Sequence, residues 1–514
     1  MASPHRGLAE HPTTFSRCQL RVQQVDPVDS VRVAQRFYDS KTAQIRDFEP
    51  LVPGKVSLYY CGATVQGKPH VGHIRSAIVF DILIRWMEYS GFDVISVRNV
   101  TDIDDKILDR SAASYGEDFQ PDSLYPSEDP WYVLAYRFER AFHEAYTSVG
   151  VRPVSYEPRA TGHIPEMIVL IERLIEAGHA YPALDGSADV YFEVASWAEY
   201  GSLTRQSIDQ MQDAADADPR GKKDPRDFAL WKAADPKDPE TAGWNSPWGR
   251  GRPGWHLECS AMSTKYLGAQ FDIHGGGLDL RFPHHENELA QSTAAGDGFA
   301  RYWLHNGLVT INGEKMSKSI GNIVTPEQML ASARPTAVRY FLGQAHYRSQ
   351  LDYQDSSLQE AQAAVERIES FQARATRTVE ATGERQVAPE FRAAMEDDLN
   401  VPQALAALHA TVRAGNIALD TGDSVAAAQA LDQVNTMVSV LGLDDVPEND
   451  DVAGNNQVLD AVIQAQLDAR AQARADKDWA TADTIRDTLA AAGITIEDTP
   501  SGAEWHLAER TSRP

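Results

Sequence analysis

What the sequence has little of narrows it first. Its 514 residues include three cysteines, Cys18, Cys61 and Cys259, too few and too scattered for a disulfide framework. An odd number in a large reduced protein points to buried thiols or metal ligands. No stretch reaches the roughly 18 uninterrupted apolar residues that a membrane span needs. Residues 1–30 have neither an apolar core nor a signal-peptide layout. No membrane partner is expected, and a cytoplasmic location is the default. Basic residues are scarce as well: 48 Lys and Arg against 74 Asp and Glu leave a net charge of −26. That balance argues against holding nucleic acid by bulk electrostatics, so an RNA partner would need local basic surfaces. The hydrophobic fraction of 42% and charged fraction of 24% are those of a globular protein. The length suggests about three or four domains.

Residues 1–32 read as a polar extension containing proline, with Cys18 a bystander in it. Patterning begins near Val33. Val56-Ser57-Leu58-Tyr59-Tyr60-Cys61 reads as a buried strand, followed by a loop rich in Gly and Pro at 62–72. A helix is predicted to open at His73, with Ile74, Ile78, Ile82 and Trp86 four apart and Val79 and Leu83 beside them. Gly91 closes it and Val94-Ile95-Ser96-Val97 starts a second strand. Strand, helix and strand within about 45 residues make a βαβ unit and predict a parallel sheet. Residues 131–244 are mixed in pattern, with a polar acidic stretch at 207–219. Sheet-like sequence returns at 254–322. Beyond Thr325 the chain is expected to be mostly helical, opening on Thr325-Pro326-Glu327-Gln328 with Thr at N-cap, Pro at N1 and Gln at N3. An acidic linker is expected at 444–456, then two helices and a strand-turn segment to Leu507.

Three groups of residues carry chemistry. Pro69-His70-Val71-Gly72-His73 ends a strand and opens a helix, where free N–H groups and the helix dipole favour phosphate. Two histidines three apart can contact a triphosphate, and Gly72 lets a ligand approach the backbone; the bland alternative is a turn with surface histidines. Lys315-Met316-Ser317-Lys318-Ser319, followed by Ile320-Gly321-Asn322, suits a mobile clamp on pyrophosphate. Most short basic loops are merely solvated surface. The third group is Cys61, Cys259 in Gly254-Trp255-His256-Leu257-Glu258-Cys259, and the run Phe282-Pro283-His284-His285-Glu286-Asn287-Glu288. On a helix, His284 and Glu288 share one face. Two thiolates, an imidazole and a carboxylate suit Zn²⁺, and a catalytic zinc keeps one position open. On spacing alone His285 and Glu286 are rival ligands, and core cysteines with a satisfied histidine are the structural alternative.

Together, His70–His73 and Lys315–Ser319 resemble the two signature sequences of class I aminoacyl-tRNA synthetases. His284 to Glu288 and the strand-ending Cys61-Gly62 are similar to those of cysteinyl-tRNA synthetases. The resemblance runs from about Gln35 to the C-terminus and includes Asn99-Val100-Thr101-Asp102-Ile103-Asp104-Asp105-Lys106, Glu157-Pro158-Arg159-Ala160, Asp227-Phe228-Ala229-Leu230-Trp231-Lys232 and His274-Gly275-Gly276-Gly277-Leu278-Asp279-Leu280. It implies an α/β fold with a Rossmann-like parallel-sheet catalytic domain at 33–324, carrying an insertion at about 131–244. A C-terminal α-helical bundle at 325–443 and a small tRNA-binding domain after a linker at 444–514 would follow.

The same resemblance implies ligation of cysteine to tRNA(Cys) at the expense of ATP. One Zn²⁺ per chain would be held by Cys61, Cys259, His284 and Glu288, with Mg²⁺ accompanying ATP. His70, His73, Lys315 and Lys318 would be catalytic; His70, Gly72, His73, Asp279 and Lys318 would bind ATP; Thr101 and Trp255 would line the cysteine pocket. A monomer is expected. Serine is nearly isosteric with cysteine but a poor partner for a site with two sulfurs, so no editing domain is expected, and none is evident. Two rivals share parts of this pattern: a ligase joining cysteine to an amino sugar on the same adenylating core, and a non-catalytic zinc protein that binds RNA.

Overall fold

A computed structural model describes residues 35–116, 120, 128, 130–206, 221–316, 321–447, 450–492, 494–499 and 502–507. The N-terminal extension with Cys18, the acidic stretch 207–219, and Ser317, Lys318 and Ser319 lie outside the described residues. The core is a four-stranded sheet in the order Phe299–Asn306, Gln270–Gly277, Lys55–Tyr60, Asp93–Arg98. All three pairings are parallel, as the βαβ reading predicts. Chain direction across the sheet reverses around Lys55–Tyr60: the next strand in sequence pairs on one side and a strand some 200 residues later on the other. Such a switch point opens a crevice at the carboxyl ends of the strands.

The crossover helix is Val71–Tyr89, two residues longer at its start than the pattern suggested. His70 sits extended at its N-cap, so the backbone turns helical directly after it. The four-apart stripe Ile74, Ile78, Ile82, Trp86 is buried on the core. Phe80 stacks on Tyr60 of the sheet, with ring centroids 4.6 Å apart. A β-carbon at position 275 would drive into the Phe80 ring, so Gly275 lets the helix press onto its strand.

Within 131–244 lie the helices Trp131–Ser148 and Ile164–Glu176 and most of a separate antiparallel sheet. That sheet orders Ala180–Pro182, Val190–Phe192, Phe228–Ala233 and Gly251–Pro253. Thr325 caps helix Pro326–Ser332 with the reciprocal Gln328 bond that its sequence predicts. The region beyond Thr325 is mostly helical, as expected, with short strands among the helices. Strand Leu351–Tyr353 returns to pair with Val309–Ile311, whose other neighbour is the hairpin strand Glu314–Lys315. The helices Ser357–Thr378, Val401–Thr421 and Ser424–Leu441 then pack together. The expected linker at 444–456 is shorter than its acidity implied, because helix Asp450–Ala475 starts inside it. That helix packs on Trp479–Ala491, and the hairpin Ile494–Thr499/Gly502–Leu507 completes the segment. No helix among the described residues is long and apolar enough to cross a membrane.

Candidate active site and metal centre

Four donors meet at the carboxyl end of the sheet. Cys61 follows strand Lys55–Tyr60, Cys259 lies one turn into helix Trp255–Leu267, His284 comes from the turn Arg281–His285, and Glu288 from the first turn of helix Glu286–Ala294. Cys61 Sγ lies 3.7 Å from Cys259 Sγ and 3.5 Å from Glu288 Oε1. His284 Nε2 is 3.5 Å from Cys259 Sγ and 3.1 Å from Glu288 Oε1. All four are buried, and their donor atoms lie within 4.8 Å of one another. Burial pushes both thiols above their ordinary value and holds the His284 imidazole well below its own. A pair of thiolates here therefore calls for a cation. Two sulfurs, a nitrogen and an oxygen fit Zn²⁺.

Of the two rivals left open by spacing, Glu286 turns away from the sulfurs and His285 stays beside them. Residues Arg281–His285 form a π-type turn that runs into helix Glu286–Ala294. Glu286 points away and accepts from the backbone N–H groups of Gly201 and Thr204 and from the Thr204 hydroxyl. His285 remains close: its Nε2 is 3.2 Å from Cys61 Sγ, while Nδ1 is 2.8 Å from His305 Nε2. Cys61, His274, His285 and Glu288 form a second, overlapping donor group. It has one sulfur instead of two.

Around these donors lie residues for which the sequence suggested no role. His274 Nε2 is 2.8 Å from Glu288 Oε2, and His256 Nδ1 is 3.0 Å from His284 Nδ1. Such outer partners fix the orientation of metal ligands. They come from separate elements, so no local spacing reveals them; a surplus of histidine near the motifs is the only sequence signal.

Thr101 is buried, donating to Glu258 Oε2 at 2.8 Å and accepting from Asn99 Nδ2 at 3.2 Å. Trp255 stacks on His284, with centroids 4.1 Å apart and planes at 23°. His70 and His73 stack at 3.6 Å, and the His70 backbone N–H donates to His73 Nδ1 at 3.1 Å. Burial, with His70 beside it, holds His73 well below the ordinary imidazole value, so it is neutral at pH 7. At Gly72 a β-carbon would approach His70 Nδ1 to 3.0 Å, which keeps this helix entrance open. Asp279 is exposed on the turn Leu278–Leu280 that follows strand Gln270–Gly277. Lys315 is exposed on its hairpin, whereas Lys318 falls outside the described residues.

Comparison with known proteins agrees with this architecture. Residues 47–363 match the family of tRNA synthetases class I (C) catalytic domain, 390–444 a DALR domain, and 456–505 a cysteinyl-tRNA ligase anticodon binding domain. A cysteine–tRNA ligase of Micrococcus luteus is 70% identical, over 93% of this chain and 100% of its own. One from an Arthrobacter species is 65% identical over 92% and 99%. Among solved structures, the methionyl-tRNA synthetase of Mycobacterium tuberculosis in complex with methionyl-adenylate superposes with a TM-score of 0.52. Its identity is 16%, over 76% of this chain and 90% of that one, so it speaks to the fold alone. By the family matches and these identities, the chain belongs to the cysteine–tRNA ligase family of class I aminoacyl-tRNA synthetases.

Proposed function

We propose that this chain activates L-cysteine with ATP and transfers the cysteinyl group to the 3′ end of tRNA(Cys), selecting cysteine by its sulfur. The observation that carries this reading is the buried convergence of Cys61, Cys259, His284 and Glu288 at the edge of the sheet. These four would hold one Zn²⁺, and we favour them over the set with His274 and His285 because two sulfurs suit it better. When bound there, zinc supplies a Lewis-acidic position for a thiolate.

The chain's own residues account for the rest. The Thr101 proton is committed to Glu258, so towards substrate Thr101 can only accept, which suits an ammonium group. Trp255, stacked on His284, forms a flat wall beside the metal ligands. The substrate carboxylate attacks the α-phosphorus of ATP, and pyrophosphate leaves. His70 and His73 face the phosphates at the start of helix Val71–Tyr89, where the helix dipole favours negative charge. Lys315 and Lys318 would balance charge on the leaving pyrophosphate, Mg²⁺ would accompany ATP, and Asp279 would face the ribose. Catalysis is then chiefly positioning and electrostatics. A terminal ribose hydroxyl of tRNA next attacks the adenylate carbonyl, and AMP leaves. We assign tRNA binding to 444–514, and place the reaction in the cytoplasm, where all three substrates meet.

The test is release of AMP in the presence of cysteine and purified tRNA(Cys). Release that needs both and yields cysteinyl-tRNA is expected. Release supported by an amino sugar in place of tRNA would identify the related ligase instead. Metal content measured beside activity checks the donor set.

A further inference from the structure

Arg75 lies two residues after His73 on helix Val71–Tyr89 and has no solvent exposure. Among the described residues its four hydrogen-bond partners are all backbone carbonyls. Nη1 donates to Gly307 and Leu308 at 2.9 and 2.8 Å, and Nη2 to His346 and Ser349 at 3.3 and 2.6 Å. The first pair directly precedes strand Val309–Ile311, and the second precedes Leu351–Tyr353. Those strands pair with each other, and Thr310 is opposite Lys315 in the hairpin register. One guanidinium thus fastens the roots of both strands that support Lys315. On the far side of the loop, the Val71 N–H donates to Val324 O at 3.0 Å. The same helix therefore holds the chain both before and after the second signature.

We propose that Arg75 is a positioning residue for adenylate formation, fixing the hairpin that carries Lys315 relative to the helix that carries His70 and His73. This rests on the reading of Lys315 given above. Arginine suits the task because its planar fork offers five donors that can span two separate segments, whereas lysine offers three from a single nitrogen. Position 307 fits the same purpose, since a β-carbon there would collide with the Ser349 carbonyl. Burial lowers the Arg75 guanidinium only to about 10, so it stays charged at neutral pH. A buried cation served only by carbonyls is costly, and a well-packed apolar side chain would make a cheaper joint. What that side chain could not do is hold two strand roots at fixed directions.

The experiment is a double-mutant cycle of Arg75→Lys with Lys315→Ala in the full-length, metal-loaded protein, read by cysteine-dependent ATP–pyrophosphate exchange. Alone, Arg75→Lys is expected to lower kcat about 10- to 100-fold while the KM for cysteine and the metal content hold within about twofold. In the Lys315→Ala background it should cost less than about threefold, because the clamp then has nothing to position. Multiplicative losses, or a loss shared by cysteine KM and metal content, would overturn the inference alone. A silent Lys315→Ala would overturn the reading of Lys315 and the inference with it. Should Arg75→Lys fail to fold, Ser76→Ala takes its place, since Ser76 Oγ donates to Asn306 Oδ1 at 2.9 Å beside the same joint. A loss of about two- to fivefold, absent in the Lys315→Ala background, is then expected; additive losses overturn the inference.

Discussion

At the scale of single residues, the function turns on donor atoms and on what aims them. Cys259 is buried at 1% exposure, with Cys61 and His284 within 3.7 Å of its sulfur. Cys259→Ser keeps the volume and removes the soft ligand. The variant should fold, lose bound metal, and lose cysteine-dependent exchange by about 100-fold or more. Retention of metal and exchange together would sink the donor set. The types of these residues were legible in the sequence, because sulfur, imidazole and carboxylate announce their chemistry. Their aim was not. His284, His285 and Glu286 are consecutive, and only the turn at Arg281–His285 decides that Glu286 faces the loop at 201–204 instead of the sulfurs.

At the scale of elements, the sheet's carboxyl edge sets the site because the ends of adjacent strands run so close together. Gly62 follows Cys61 where the Gly62 N–H donates to Asn99 Oδ1 at 2.9 Å, beside the start of the segment carrying Thr101. A β-carbon at 62 would fall inside the Asn99 backbone carbonyl, which cannot swing aside as a side chain would. Gly62→Ala should therefore cost about 1–3 kcal/mol of stability, measured by urea unfolding. It should also weaken cysteine binding, since it separates Cys61 from Thr101. A neutral outcome would mean that the two strand ends are free to part. The helix with its four-apart stripe, the Thr325 cap and the βαβ unit were all readable from local periodicity. Strand Leu351–Tyr353 was not. Three residues carry too short a pattern, and what makes them a strand is their partner at Val309–Ile311.

At the scale of the molecule, a buried ion cluster joins the signature helix to the helical region. Asp81 Oδ2 accepts from Arg85 Nε at 2.7 Å and from Arg339 Nη2 at 2.5 Å, with side-chain exposures of 3%, 4% and 1%. Arg339 also donates to the carbonyls of Leu441 and Val149. Burial pushes the Asp81 carboxyl up, but Arg339 and Arg85 outweigh it and leave it below the ordinary aspartate value. The stability it contributes is thus fully present above the unfolded value of about 3.9 and is lost as pH falls through the folded one. Asp81→Asn removes the carboxylate that Arg339 and Arg85 share and should cost about 3–5 kcal/mol at pH 7. It should also flatten the fall in unfolding midpoint below about pH 4. An unchanged midpoint at both pH values would show that the cluster does not hold these parts together.

The sequence by itself determined the kinds of chemistry present and the local elements that bear them. Both depend on residue type and on periods of two to four residues, which act at short range. Tertiary structure alone decided which histidines face the sulfurs, that the Thr101 hydroxyl donates to Glu258, and that Arg75 joins segments more than 230 residues away. Those facts depend on packing between strands far apart in sequence, where direction is set by neighbours that no local pattern encodes.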